Sequence, residues 1–173
     1  MSIDAIRAAI RDVPDFPVEG IVFKDITPVL SDPALFKASI DWFTERTRAA
    51  RATTVAGIDA RGFLFGGAVA DRLGIGLVPI RKAGKLPWKT YEQSYDLEYG
   101  RNTIAVHQDA FRDGEKVVLI DDLLATGGTA AAAAALIEKA GGTVVEAQFL
   151  VELGFLKGRE KLTGYEVAAP VVF

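Results

Sequence analysis

From residue 53 onward, short apolar runs alternate with amphipathic stretches of helical period. Thr53–Asp59 reads as a buried strand, Arg61–Leu73 as a helix stopped at Gly74, and Leu77–Arg81 as a second strand. Lys116–Asp121 is a further apolar run, followed by a helix from about Gly127 to Ala140 that ends at Gly141-Gly142. Thr143–Val151 is the next strand and Val167–Val172 the last candidate. Strands alternating with helices predict βαβ units, hence an α/β fold with a central, mainly parallel sheet flanked by helices. Ligands of such sheets bind beyond the carboxyl ends of the strands, so the loops after Asp59, Arg81, Asp121 and Val151 are the ones to search.

The pattern differs at two places. Ile3, Ile6 and Ile10 recur at helical spacing over Ser2–Asp12, before Pro14 and Pro17 break the helix. Ser31-Asp32-Pro33 then starts a helix that should run to about Ala50. Between Lys82 and Asp113, Lys85–Lys89 is a polar excursion and Tyr95–His107 looks like a hairpin. A long connection inside an α/β domain is usually functional, and a flexible loop is expected over about residues 82–100.

The chain has 173 residues, which fits one domain over 1–173 with a small N-terminal segment of about residues 1–30. Twenty basic side chains against twenty-three acidic ones, net charge −3, argue against a nucleic-acid partner but leave room for a small anionic substrate. The absence of cysteine excludes disulfides, thiolate nucleophiles and cysteine metal sites. The lone histidine, His107, removes a histidine-rich metal site and is given no catalytic role. Phe63–Ile80, the most apolar stretch, is broken by Asp71-Arg72, four glycines and a proline, so no membrane span is expected. The first sixteen residues interleave charges with no apolar h-region, which does not read as a signal peptide. The expected setting is cytoplasmic.

The chemistry concentrates in Val117-Val118-Leu119-Ile120-Asp121-Asp122-Leu123-Leu124-Ala125-Thr126-Gly127-Gly128-Thr129. An apolar strand delivers two adjacent carboxylates, and a Gly/Thr-rich turn then opens a helix whose free N–H groups and dipole favour an anion. Acids beside an anion site suit a ligand that also carries hydroxyls or a divalent metal, as a sugar phosphate does. The spacing is also compatible with an ordinary strand–turn–helix with a capping threonine and a solvated acidic pair. No GxxxxGK[ST] run is present, and Gly74-Ile75-Gly76 lacks the third glycine of a dinucleotide fingerprint.

Asp121–Thr129 resembles the phosphoribosyl-pyrophosphate (PRPP) signature of the type I phosphoribosyltransferase family. The blocks Pro14–Pro17, Gly20–Leu30, Asp59–Phe63, Arg81–Pro87, Leu97–Gly100, Val151–Leu153 and Leu156–Leu162 resemble those of its adenine-specific members, in order and nearly in spacing. Val18-Glu19 and Trp88-Lys89-Thr90 depart from the pattern, both outside the contact blocks. The resemblance implies transfer of ribosyl phosphate from PRPP to N9 of adenine, giving AMP and pyrophosphate, with Mg²⁺ required and an oxocarbenium-like transition state. It implies that Ala125, Thr126, Gly127, Gly128 and Thr129 hold the 5′-phosphate. Asp121 and Asp122 would lie along the ribose hydroxyls, near an Mg²⁺ held mainly by PRPP. Arg61, Arg81, Lys82 and Lys85 would serve pyrophosphate, with Asp59-Ala60 forming a tight turn of unusual backbone geometry, a cis peptide by resemblance.

Glu98 and Tyr99 would close over the site. Since Ala125 stands where 6-oxopurine enzymes carry an Asp, Glu98 is the candidate to act at N7 of the base. Phe23 would stack on adenine, Leu153 would close the other side, and the peptides near Val22 and Lys24 would pair with N1 and the 6-amino group. The implied assembly is a homodimer in which Arg81 reaches the neighbour's site. A transferase acting on a 6-oxopurine or on orotate, or a non-catalytic PRPP-binding regulator, are the rival readings.

Overall fold

From residue 53 onward the buried parallel strands follow the apolar runs of the sequence. The computed structural model describes residues 2–97 and 100–173. In chain order the elements are α1 (Ile3–Ala9), β1 (Arg11–Pro14), β2 (Val22–Asp25), α2 (Thr27–Ser31), α3 (Pro33–Ala49), β3 (Thr54–Ile58), α4 (Arg61–Leu73) and β4 (Gly76–Lys82). They continue with β5 (Thr90–Leu97), β6 (Gly100–His107), β7 (Glu115–Leu124), α5 (Gly128–Lys139), β8 (Gly142–Glu152), β9 (Val167–Ala168) and β10 (Val171–Val172). Two 3₁₀ turns, Gly154–Leu156 and Gly158–Leu162, follow β8. Two compact units divide the chain within α3, at residues 1–42 and 43–173.

In the first unit, Ser2 caps α1, accepting from the Ala5 N–H through its hydroxyl. The helix ends at Ala9, three residues short of the expected Asp12, because Arg11–Pro14 pairs antiparallel with Val22–Asp25 instead. Neither strand is evident from the sequence: each has four residues, β1 closes on a proline, and nearly all of β1 is exposed. The connecting loop is held locally. Phe16 N–H donates to Ile21 O (3.2 Å), Gly20 N–H donates to the Asp15 carboxylate (2.7 Å), and the Phe16–Pro17 peptide is cis.

The second unit is built on one sheet in the order β10-β8-β7-β3-β4-β6-β5, with β9 also on the edge of β8. The pairs β3–β4, β3–β7, β7–β8, β8–β9 and β8–β10 are parallel; β4–β6 and β5–β6 are antiparallel. All five residues of β3 and the run Val117–Ile120 of β7 are buried, as a parallel strand covered on both faces requires. The core gathers Ile58, Ile80, Leu119, Leu136, Ile137 and Phe149. The six-alanine run of α5 keeps that helix thin against the sheet, with Ala130 and Ala132–Ala134 buried.

Helix α4 has the expected limits, and Gly74 terminates it at φ 64°. Two expectations shift. The hairpin begins at Thr90 and runs to His107 in unbroken register, so much of the expected flexible stretch of residues 82–100 is strand β5. The Tyr91/Tyr95 spacing on one strand face explains it: both rings pack on the core. The last strand is two short ones, split at Ala169-Pro170, because proline has no N–H to continue the ladder. No helix among the described residues is long and apolar enough to cross a membrane.

Candidate active site

Strand β7 carries its apolar run to Ile120 and then presents Asp121 and Asp122 at the sheet's carboxyl edge. A cavity of about 220 Å³ opens there, lined by Arg61, the two aspartates, the turn Leu123–Ala130 and Phe149. The turn ends at Gly127, φ 80°, directly before the first turn of α5. Only glycine fits. A Cβ at residue 127 would lie 2.2 Å from the Gly158 carbonyl oxygen, and one at residue 158 would lie 2.3 Å from that of Ala125. The turn thus rests, backbone on backbone, on the segment after β8.

That segment is itself anchored. Arg159 forks onto buried Glu152, Nε donating at 2.8 and 2.9 Å and Nη2 at 2.7 Å, while Nη1 donates to Val167 O at 2.7 Å. Leu153 N–H donates to Leu124 O at 2.9 Å. Sequence reasoning matched the Leu156–Leu162 block to the family but gave Gly158, Arg159 and Glu152 no role. Only a contact between positions some thirty residues apart reveals it.

The two aspartates differ. Asp122 is buried and receives the Arg61 Nε–H, whereas Asp121 is half-buried and accepts the Asp122 N–H at 2.9 Å. Desolvation pushes the Asp121 carboxyl well above the usual carboxylate range; the charge of Asp122 adds to this and Arg61 works against it. Gly62 lets α4 approach: a Cβ there would sit 2.6 Å from Ile120 O. That contact delivers Arg61 to the aspartates.

The Asp59–Ala60 peptide is cis, as the family resemblance implies, and Arg61 opens α4 immediately after it. Arg81 lies at the end of β4 and donates Nε–H to Asp59 of its own chain at 2.8 Å, and Nη1–H to Lys85 O at 3.3 Å. Lys85 N–H closes on Lys82 O and Gly84 has φ 79°, so residues 82–85 form a tight turn. Lys82 and Lys85 are exposed. Glu98 and Tyr99 lie outside the described residues.

Of the remaining candidates, Leu153 is buried at the end of β8. Val22, Phe23 and Lys24 belong to the first unit. The Phe23 ring meets Phe16 edge-on, centroids 5.2 Å apart, and Lys24 pairs with Asp12 at 2.5 Å. In a two-stranded ladder alternate peptides of β2 turn their N–H and C=O away from β1. Thr126 lines the cavity, and Thr129 is hydrogen-bonded to Tyr95 through their hydroxyls at 2.9 Å. His107 packs edge-on to Trp88 and its Nε2 is buried without a partner, apart from the cavity.

Residues 26–165 match the family described as the phosphoribosyl transferase domain. The chain is 55% identical over 160 residues to an adenine phosphoribosyltransferase of Thermobifida fusca, covering 92% of this chain and 91% of that protein. It is similar to the crystal structure of adenine phosphoribosyltransferase from Thermoanaerobacter pseudethanolicus (TM-score 0.96, 48% identity, 99% and 100% of the two chains). It is also similar to the Saccharomyces cerevisiae enzyme complexed with an imino-altritol bisphosphate and adenine (TM-score 0.92, 39% identity, 97% of each chain).

Proposed function

The chain belongs to the phosphoribosyltransferase family, and from that membership we propose that it transfers ribosyl phosphate from PRPP to N9 of adenine, forming AMP and pyrophosphate. The observation that carries the reading is the pair Asp121–Asp122 running straight into a glycine turn and the N-terminus of α5 around one cavity with Arg61. A helix N-terminus presents unpaired N–H groups to an anion, and the turn's close approach needs Gly127, so Ala125–Thr129 suits the 5′-phosphate.

Catalysis in this reading is positioning and charge placement. The C1′–N9 bond forms as the bond from C1′ to the pyrophosphate oxygen breaks, and the ribosyl carbon is most cationic between them. Asp121 and Asp122 accept from the ribose hydroxyls and favour that positive charge. Arg61, with Arg81, Lys82 and Lys85, favours the charge leaving on pyrophosphate. Binding a group that donates to Asp121 drives its carboxyl toward the ionised form, against the desolvation that raises its pKa.

Among the described residues no three metal-ligating side chains cluster, and the cavity offers two carboxylates. That donor set fits Mg²⁺, which favours one or two carboxylates plus substrate phosphates, so Asp121 and Asp122 would lie beside an ion held mainly by PRPP. When bound, the ion neutralises charge on the diphosphate.

Adenine recognition is assigned to Val22, Phe23, Lys24 and Leu153, on the strength of an aromatic face and of β2 peptides turned away from β1. A 6-oxopurine reverses the donor and acceptor at that edge and leaves groups unpaired, a strong basis for rejection. Glu98 is assigned to N7 of the base, because Ala125 brings no acid to the turn, and there takes the imidazole proton that adenine gives up as N9 bonds to C1′; Tyr99 is assigned to closure. A cytoplasmic homodimer completes the proposal; exposed Leu64 and Leu77 in the second unit support an apolar subunit contact. The test is pyrophosphate release from PRPP and Mg²⁺ with adenine, hypoxanthine, guanine or orotate in turn. Turnover with adenine alone is expected; turnover with a 6-oxopurine or orotate, or none at all, overturns the reading.

A further inference from the structure

Tyr95 stands outside the sequence-derived site, yet its phenol is 2.9 Å from the Thr129 hydroxyl, which lines the phosphate cavity. The approach is built in. A Cβ at residue 128 would meet Tyr95 Cδ2 at 3.3 Å, so the glycine before Thr129 makes room for the ring. Tyr95 is also fixed from behind, packed on the core and paired with Asn102 in an unbroken hairpin ladder that ends at Leu97–Gly100. The strand that carries Tyr95 is therefore the one that leads into Glu98 and Tyr99.

A hydroxyl has one proton and a phosphate dianion only accepts. Without phosphate, Thr129 has its single proton available for the Tyr95 oxygen. With phosphate bound, that proton goes to the ligand, and Tyr95 becomes the donor to Thr129. A hydroxyl that accepts one hydrogen bond is a better donor in the next, so a phenol behind Thr129 strengthens its grip on the anion.

We propose that Tyr95 is a positioning residue that orients the Thr129 hydroxyl toward the 5′-phosphate and so ties the β5–β6 hairpin to the phosphate turn. The proposal rests on the reading that Ala125–Thr129 holds that phosphate. It is tested with Tyr95→Phe, Thr129→Val and the double variant, each checked for an unchanged melting temperature, by measuring KM for PRPP and for adenine separately. Tyr95→Phe keeps the ring and its packing. It should raise the PRPP KM roughly 3- to 10-fold, the range one neutral hydrogen bond supplies, and leave the adenine KM within about twofold. The double variant should be no worse than Thr129→Val, since Tyr95 acts through that hydroxyl. If Thr129→Val raises the PRPP KM while Tyr95→Phe does not, or if the two effects multiply, the role of Tyr95 is overturned and the phosphate turn stands. If Thr129→Val itself leaves the PRPP KM unchanged, the phosphate reading falls, and the role of Tyr95 with it.

Discussion

A methyl group at Gly127 would overlap a carbonyl oxygen 2.2 Å away; at Gly20, also at positive φ, it would meet nothing within 4 Å. The same residue type thus does different jobs in the glycine turn before α5 of the second unit and in the β1–β2 hairpin of the first. In the turn, glycine permits contact between backbones distant in sequence, and Arg159 and Glu152 fix the far side. In the hairpin it permits only a local reversal, held by Asp15 and by Phe16 N–H. The turn before α5 is therefore held from outside itself. The β1–β2 loop is held by local contacts, within residues 11–25.

Breaking each region by one methyl group should separate them most. Gly127→Ala combines a left-handed backbone, roughly 1–2 kcal/mol, with an overlap costing roughly 1–3 kcal/mol. It should lower stability by about 2–5 kcal/mol in chemical denaturation and abolish saturation by PRPP. Gly20→Ala should cost only about 1–2 kcal/mol, the backbone term alone, with the PRPP KM intact.

Arg61→Ala comes next. It leaves buried Asp122 without its guanidinium and removes a cation from the leaving group, so kcat/KM for PRPP should fall roughly 10²-fold or more. Steady-state kinetics would refute the role if only the adenine KM rose and kcat held. Phe23→Ala should raise the adenine KM roughly tenfold, within the range of one base–aromatic stack, and spare the PRPP KM.

The smallest effect is in pH dependence. Asp121 holds its proton more tightly in the folded chain than in the unfolded one, so its contribution to stability is full at pH below the ordinary carboxylate range and is lost as pH rises through its raised value. Asp121→Asn should therefore melt above wild type at pH 8 and alongside it near pH 4, while turning over more slowly. A variant that melts below wild type at pH 8 contradicts the assignment.

The turn was far more legible in the sequence than the hairpin. Strand β7, both aspartates, the glycines and α5 are consecutive, so apolar patterning and chemistry reinforce each other within thirteen residues. Helix α4 and strand β3 were readable for the same reason: one face or both are buried, and the pattern records it. Strands β1 and β2 were not, because each has only four residues, β1 mostly exposed and closing on a proline and β2 with no fully buried position, so neither carries a period-two signal. Gly158 against Gly127, and Tyr95 against Thr129, escaped for another reason. Each is a contact between segments about thirty residues apart, and neither residue type reports its partner.

The division of labour between turn and hairpin is tested most directly by amide hydrogen exchange with one half-ligand at a time. Ribose 5-phosphate should slow exchange at Ala125–Thr129 and leave Val22–Lys24 unchanged, and adenine should slow Val22–Lys24 and leave the turn unchanged. Ribose 5-phosphate bound at saturation, with exchange at Ala125–Thr129 unaltered, would contradict the account.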